Sequence, residues 1–130
     1  KKLIEAQNLG ADGLEIGNYE SFYKSGKMFT PSEILNIVKD VKANLKDGVT
    51  LSVTVPATLE VKNQIKLAED LQELGVDLIQ TEGFAISTPS ADRDDSSFTD
   101  MLKASSTLTN TSELKKMLPG SNLMTASGIT

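Results

Sequence analysis

Leu74 to Gly83 reads Leu-Gly-Val-Asp-Leu-Ile-Gln-Thr-Glu-Gly, and Leu9 to Gly17 reads Leu-Gly-Ala-Asp-Gly-Leu-Glu-Ile-Gly. Each stretch has the pattern of a helix end, a tight turn at glycine and a short strand that finishes in polar residues. A chain that repeats this unit must alternate helices with strands. Strands reached through helical crossovers run parallel, because the helix brings the chain back to the starting edge.

The rest of the chain supplies the intervening elements. Lys1 to Leu9 reads as a helix, with Leu3, Ile4 and Leu9 as its apolar marks, and Gly13 to Asn18 as the first strand. Residues 19–29 form a connection that carries Tyr19, Phe22, Tyr23 and Phe29, most of the aromatics. A helical turn there would pack over the end of the sheet or stack on a ligand. Thr30-Pro31-Ser32-Glu33 is a helix start, with a capping residue, proline at the first helical position and glutamate to close a capping box. Ile34, Leu35, Ile37, Val38, Val41 and Leu45 follow at helical spacing, and Asp47-Gly48 ends the segment. Val49 to Val55 alternates as a second strand and stops at Pro56. A helix over 59–74 places Val61, Ile65, Ala68, Leu71 and Leu74 on one face. Leu78 to Glu82 is the third strand. The stretch 83–110 is rich in Ser, Thr and Asp, with Phe98, Met101 and Leu102 predicting one short helix. Asn110-Thr111-Ser112-Glu113 reads as a second capping box, its helix ended by Pro119-Gly120, and Leu123 to Ser127 as a fourth strand.

Two α/β architectures fit, an open doubly wound sheet and a (β/α)8 barrel. Strands of a doubly wound sheet are covered on both faces and tend to be apolar throughout. Here Leu51, Val53 and Val55 alternate with Ser52 and Thr54, and Ile79 and Thr81 with Leu78, Gln80 and Glu82. One face is aliphatic, for covering helices. The other carries Glu15, Ser52, Thr54, Gln80 and Glu82, which suits the interior of a barrel near its C-terminal rim. No Gly-x-Gly-x-x-Gly follows a strand, which argues against a dinucleotide fold. A whole barrel needs about 250 residues, so four βα units in 130 residues predict a partial barrel. The absent initiator Met, a start inside a helical pattern and a stop just after a strand-like run also predict a single domain, 1–130, that is an internal piece of a longer one.

Composition narrows the chemistry. A net charge of -5 with both signs interspersed argues against nucleic acid or an anionic membrane as the partner. There is no Cys and no His, which excludes thiolate catalysis, disulfides, and the commonest metal ligand and general base. No metal ligand set is predicted: Asp92-Arg93-Asp94-Asp95 lacks the Gly and terminal Glu of an EF-hand loop. No Lys lies on a strand, so none offers an inward Schiff-base nucleophile. Asn110-Thr111-Ser112 matches a glycosylation acceptor, but nothing else points to secretion. No apolar run reaches the roughly 18 residues of a membrane span. A soluble intracellular protein is expected.

The segments Ala-Asp-Gly-Leu-Glu-Ile-Gly-Asn (11–18), Gly-Val-Asp-Leu-Ile-Gln-Thr-Glu-Gly (75–83) and Ala-Ser-Gly-Ile (126–129) resemble the hypothetical chloroplast open reading frame twenty-three family of algal plastids and cyanobacteria. The likeness covers most of the chain and is weakest between Phe84 and Asp100. It implies an aldolase-type barrel with this chain as strands four to seven, in plastid stroma or cyanobacterial cytosol. It implies no established activity or catalytic residues. Gly-Ala-Asp-Gly-Leu-Glu-Ile-Gly is also similar to the strand bearing the catalytic Glu of the tryptophan synthase α subunit, over those few residues.

The candidate residues follow from the polar face. Glu15 is the first acid or base: a carboxylate buried there would have its pKa raised by desolvation. It is equally suited to a structural role, bonded to backbone or to a Lys of another strand. Glu82 is its partner, or an oxygen ligand to a cation, or a solvated rim residue. Asn18, Thr54 and Gln80 are candidates for orienting a ligand, and Thr54 and Gln80 also for a polar layer of the interior. Ser127 and Gly128, with Ile129, would offer backbone N–H groups to a phosphate if they open a helix after strand seven. These residues point to a lyase, isomerase or synthase acting on a small phosphorylated metabolite, with the cofactor undefined. The alternative is a non-catalytic barrel that binds a metabolite or a protein in photosynthetic cells.

Overall fold

The computed structural model describes residues 1–17, 20–82 and 110–125. It is α/β. In chain order it holds α1 (Lys2–Asn8), β1 (Gly13–Ile16), α2 (Glu20–Lys24), α3 (Pro31–Lys42), β2 (Thr50–Val55), α4 (Val61–Glu73), β3 (Leu78–Thr81), a helical segment α5 over 110–117, and β4 (Leu123–Thr125).

The repeated unit folds the same way twice. After α1 the Gly10 N–H donates to Gln7 O and the Ala11 N–H to Ala6 O, both at 3.1 Å. After α4 the Gly75 N–H donates to Gln72 O at 3.0 Å and the Val76 N–H to Leu71 O at 3.1 Å. These are the paired bonds of a Schellman turn, which satisfy carbonyls that a helix end leaves open. They require a left-handed residue, and φ is +99° at Gly10 and +73° at Gly75. The aspartate two residues later begins the strand pairing. The Thr50 N–H donates to Asp12 O at 2.9 Å, and the Leu51 N–H to Asp77 Oδ2 at 2.8 Å.

The four strands form one parallel sheet in the order β1-β2-β3-β4. Leu14 pairs with Leu51, Val53 with Ile79, and Ile79 with Leu123. Successive side chains point to opposite faces, so these residues share one face with Ile16, Val55 and Thr81. That face is the core. Leu14, Leu51, Val53, Val55 and Ile79 are buried there with Ile34, Val38 and Val41 of α3, Leu67, Ala68 and Leu71 of α4, and Leu114 of α5. Every buried aliphatic side chain of the sheet lies on this side. On the other side Glu15 pairs with Ser52 and Thr54 with Gln80. The split into an aliphatic and a polar face is therefore present in the register.

Polar bonds fasten the helices to the sheet. Thr81 and Thr125 are register partners. The Thr111 hydroxyl on α5 lies 2.9 Å from each of theirs. Gln7, 5% exposed, donates from Nε2 to Asn44 O at 2.7 Å and accepts from the Lys46 N–H at 3.0 Å, tying α1 to the connection after α3. The Lys42 Nζ donates to Gly75 O at 2.8 Å.

Three expectations need correction. The inward face of α4 is Gln64, Leu67, Ala68 and Leu71. Val61, the first residue of that helix, is 46% exposed. α3 stops at Lys42, and Leu45 packs from the connection instead. Asn110 is itself helical, so it does not cap α5. The capping box at Thr30 is as expected: the Glu33 N–H donates to Thr30 Oγ1 at 3.3 Å, and the Thr30 N–H donates to Glu33 Oε2 at 2.8 Å. The predicted helix near Phe98 and the loop at Asp92 to Asp95 lie outside the described residues.

Gly75→Ala forces a side chain into a left-handed position whose added carbon would stand 3.5 Å from the Lys42 Nζ. It is expected to destabilise the full-length protein by about 1 kcal/mol or more, by the strain of that conformation. Thr30→Ala removes the cap and costs about 1 kcal/mol. Urea denaturation of both variants checks these values; an unchanged midpoint for Gly75→Ala would contradict the turn assignment.

Candidate functional site

Parallel strands point to the same edge of the sheet, so the connections after β1, β2 and β3 leave from that edge. Glu82 directly follows β3 and lies on the polar face, two residues beyond Gln80. It is 3% exposed. Its Oε2 accepts a hydrogen bond from the Tyr23 hydroxyl at 2.7 Å and another from the Ala57 N–H at 2.9 Å. Tyr23 comes from α2, after β1, and Ala57 from the turn at Pro56, after β2. Three successive connections thus converge on one carboxylate. Its other oxygen, Oε1, is buried with no hydrogen-bond partner among the described residues.

Burial disfavours the charged carboxylate and raises the Glu82 pKa above its ordinary value. The bonds from Tyr23 and Ala57 act against that shift, because they stabilise the anion, and burial outweighs them. Burial also raises the Tyr23 pKa, reinforced by the bond to Glu82 and by the carboxylate charge, against a smaller opposing effect of the Thr58 side chain. Tyr23 is therefore held as a donor, and the Glu82 carboxyl keeps its proton to higher pH than an ordinary glutamate.

Glu15 occupies different surroundings. Its side chain is exposed, and the carboxylate bends back over Gly17, where a β-carbon would stand 2.9 Å from Glu15 Oε1 and 3.7 Å from Thr54 Oγ1. A side chain at 17 would meet the Glu15 carboxylate, which glycine leaves room for. They stand at the rim of a cleft of about 330 Å³ with mostly apolar walls, among them Ile16, Phe22, Phe29 and Ile34. Phe22 and Phe29 meet edge to face at 5.5 Å, and the Lys27 Nζ lies 4.8 Å from the Phe29 ring centre. The desolvation expected at Glu15 falls on Glu82. Glu15 and Thr54 line the cleft and Glu82 does not.

Thr54 and Gln80 pair across the sheet, and both are buried. Gln80 Nε2 donates to Ser52 Oγ at 2.6 Å, so its amide N–H₂ is engaged inside the polar face. Asn18, Ser127, Gly128 and Ile129 lie outside the described residues. Among the described residues no cluster of three or more Asp or Glu is placed to hold a metal ion, and no helix is long and apolar enough to cross a membrane. Sequence reasoning missed Tyr23 as the partner of Glu82, and Ala57 altogether. The available signal was an amphipathic aromatic in the connection after β1, whose hydroxyl needs a partner once its ring is covered. Nothing local marks a backbone N–H such as that of Ala57.

The raised Glu82 pKa sets the sign of a pH effect. The fold prefers the protonated carboxyl. That contribution is complete below the ordinary carboxyl value of about 4.5 and is lost as pH rises through the higher folded value. Glu82→Gln keeps a neutral side chain at every pH. Its stability relative to wild type is expected to improve from pH 4 to pH 7, read by urea denaturation of the full-length protein across that range (about three to four pH points suffice). A difference that runs the other way would mean that the carboxylate is held as a favourable anion. Glu82→Ala leaves the Tyr23 hydroxyl and the Ala57 N–H without their acceptor and is expected to cost about 2–3 kcal/mol.

The chain is 46% identical over 92 residues to a protein of Porphyra purpurea named uncharacterized protein ycf23, a match covering 71% of this chain and 34% of that protein. It is also 46% identical to proteins of the same name from Pyropia yezoensis, over 64% of this chain and 30% of the relative, and from Cyanophora paradoxa, over 57% and 30%. The chain thus spans about a third of the length of the curated relatives it matches. No solved structure gives a significant match. These relatives bear out the resemblance to the hypothetical chloroplast open reading frame twenty-three family, and the model of the family described as protein of unknown function DUF561 matches residues 1–130, so the chain belongs to that family.

Proposed function

We propose that this chain is a sector of an aldolase-type (β/α)8 barrel, and that the barrel is a lyase, isomerase or synthase acting on a small phosphorylated metabolite with Glu82 as its acid or base. The observation that carries the reading is the buried Glu82 carboxylate, one oxygen held by two donors and the other without a partner among the described residues. A carboxylic acid whose pKa is raised by burial is matched to proton transfer near neutral pH. Its place at the C-terminal ends of parallel strands is where barrels keep their chemistry.

The barrel itself is supported by three features. Strand order follows chain order without a reversal, the aliphatic core lies on one face of the sheet, and the opposite face is polar. A doubly wound sheet reverses its order and is covered on both sides. In this reading Glu15, Thr54 and Gln80 line the interior and orient the ligand. Asn18 is a further ligand-orienting residue in this reading. Ser127 and Gly128 offer N–H groups to the phosphate, and the protein works in plastid stroma or cyanobacterial cytosol.

Native mass spectrometry of the full-length protein tests this. The wild type is expected to carry little ligand, because it turns it over. Glu82→Gln is expected to carry a phosphorylated small molecule in near-stoichiometric amount. A protein that is bare in both forms, or that arrives bound only to another polypeptide, would replace this reading with that of a non-catalytic binding barrel.

A further inference from the structure

The two oxygens of Glu82 are held differently. Oε2 receives the Tyr23 hydroxyl at 2.7 Å from one side of the sheet edge and the Ala57 N–H at 2.9 Å from another. Oε1 receives nothing among the described residues, although it is buried. Rotation of the carboxylate would break both bonds at once, so two donors from separate connections fix its plane. A buried polar atom without a partner costs about 1–3 kcal/mol, and a role in a functional site is one of the few reasons a fold keeps one.

We propose that Tyr23 is a positioning residue: with the Ala57 N–H it holds Oε2, so that Oε1 is the atom presented to the ligand, which must bring a proton-bearing group to it. The inference rests on the assignment of Glu82 as the working carboxylate. Tyrosine suits the task better than a charged donor. A lysine or arginine would bind the carboxylate as a permanent ion pair and hold its pKa down, whereas a neutral phenol orients it and leaves it able to take a proton. Burial and the neighbouring carboxylate keep the phenol itself protonated. Among the described residues, that hydroxyl from α2 and the Ala57 N–H from the turn after β2 are the groups that act on the carboxylate, and neither is charged. α2 also carries Phe22, in the wall of the neighbouring cleft. The same short helix therefore sets both the cleft wall and the carboxylate plane.

The test is a carboxyl-carbon NMR titration of the full-length protein labelled at glutamate, with the Glu82 signal assigned by its loss in Glu82→Gln. In Tyr23→Phe the Glu82 midpoint is expected to move to higher pH, because the anion has lost a donor. Incorporation of fluorotyrosine keeps the shape of the ring and makes the phenol a stronger donor; it is expected to move the midpoint the other way, and it serves even where the phenylalanine variant fails to fold. A midpoint that ignores both changes overturns the positioning role. Should the midpoint respond while Glu82→Gln traps no small molecule, Tyr23 positions the carboxylate and the metabolite reading falls. Should Glu82→Gln trap the ligand while the midpoint stays still, the metabolite reading stands and Tyr23 is only structural.

Discussion

Parallel pairing in one fixed register is the constraint on which the remaining structure depends. Glu15 stands opposite Ser52, and Thr54 opposite Gln80, only because Gly13 meets Thr50 and Ser52 meets Leu78. A slip of one residue in β2 would turn Leu51, Val53 and Val55 away from α3 and α4 and send Ser52 and Thr54 into the core. The cost of burying those hydroxyls and exposing three aliphatic side chains, each worth about 1.5–3 kcal/mol of burial, keeps the register single. The Schellman turns at Gly10 and Gly75 fix where each strand begins, and Asp12 and Asp77 supply the first bonds across the sheet.

That register has a consequence at the C-terminal edge. Because β1, β2 and β3 point the same way, their C-terminal ends lie at the same edge of the sheet, with Val55 level with Thr81 and Ile16 level with Val53. The residues just beyond them belong to three connections far apart in sequence, and Tyr23, Ala57 and Glu82 meet there. A carboxylate at that edge is removed from water by what surrounds it, and it accepts two neutral donors on one oxygen. Burial wins over those bonds, so its charge is disfavoured. In a strand-end position on a flat, isolated hairpin the same glutamate would be solvated and unremarkable in its chemistry.

Glu15 and Glu82 look alike as sequence, each a carboxylate on the polar face near a strand end with a glycine within two residues. The structure separates them by environment. Glu15 is exposed at the mouth of a cleft and leans over Gly17 toward Thr54, while Glu82 is enclosed. What packs around each carboxylate, and not its place on a strand, decides which of the two is removed from water.

The sequence by itself determined the alternation of helices and strands, the parallel sheet, the two unlike faces, the cap at Thr30 and the family. All of these rest on local chemistry: period-two and helical spacing, glycine at a left-handed turn, and a side chain that caps its own backbone. Tertiary structure alone decided which face of α4 is buried, that Asn110 lies within a helix, and that Thr111 bridges Thr81 and Thr125. It also decided that Tyr23 and the Ala57 N–H hold Glu82. These depend on distances between segments as many as 59 residues apart, and on which atoms lose their water, and neither quantity is written in the order of the residues.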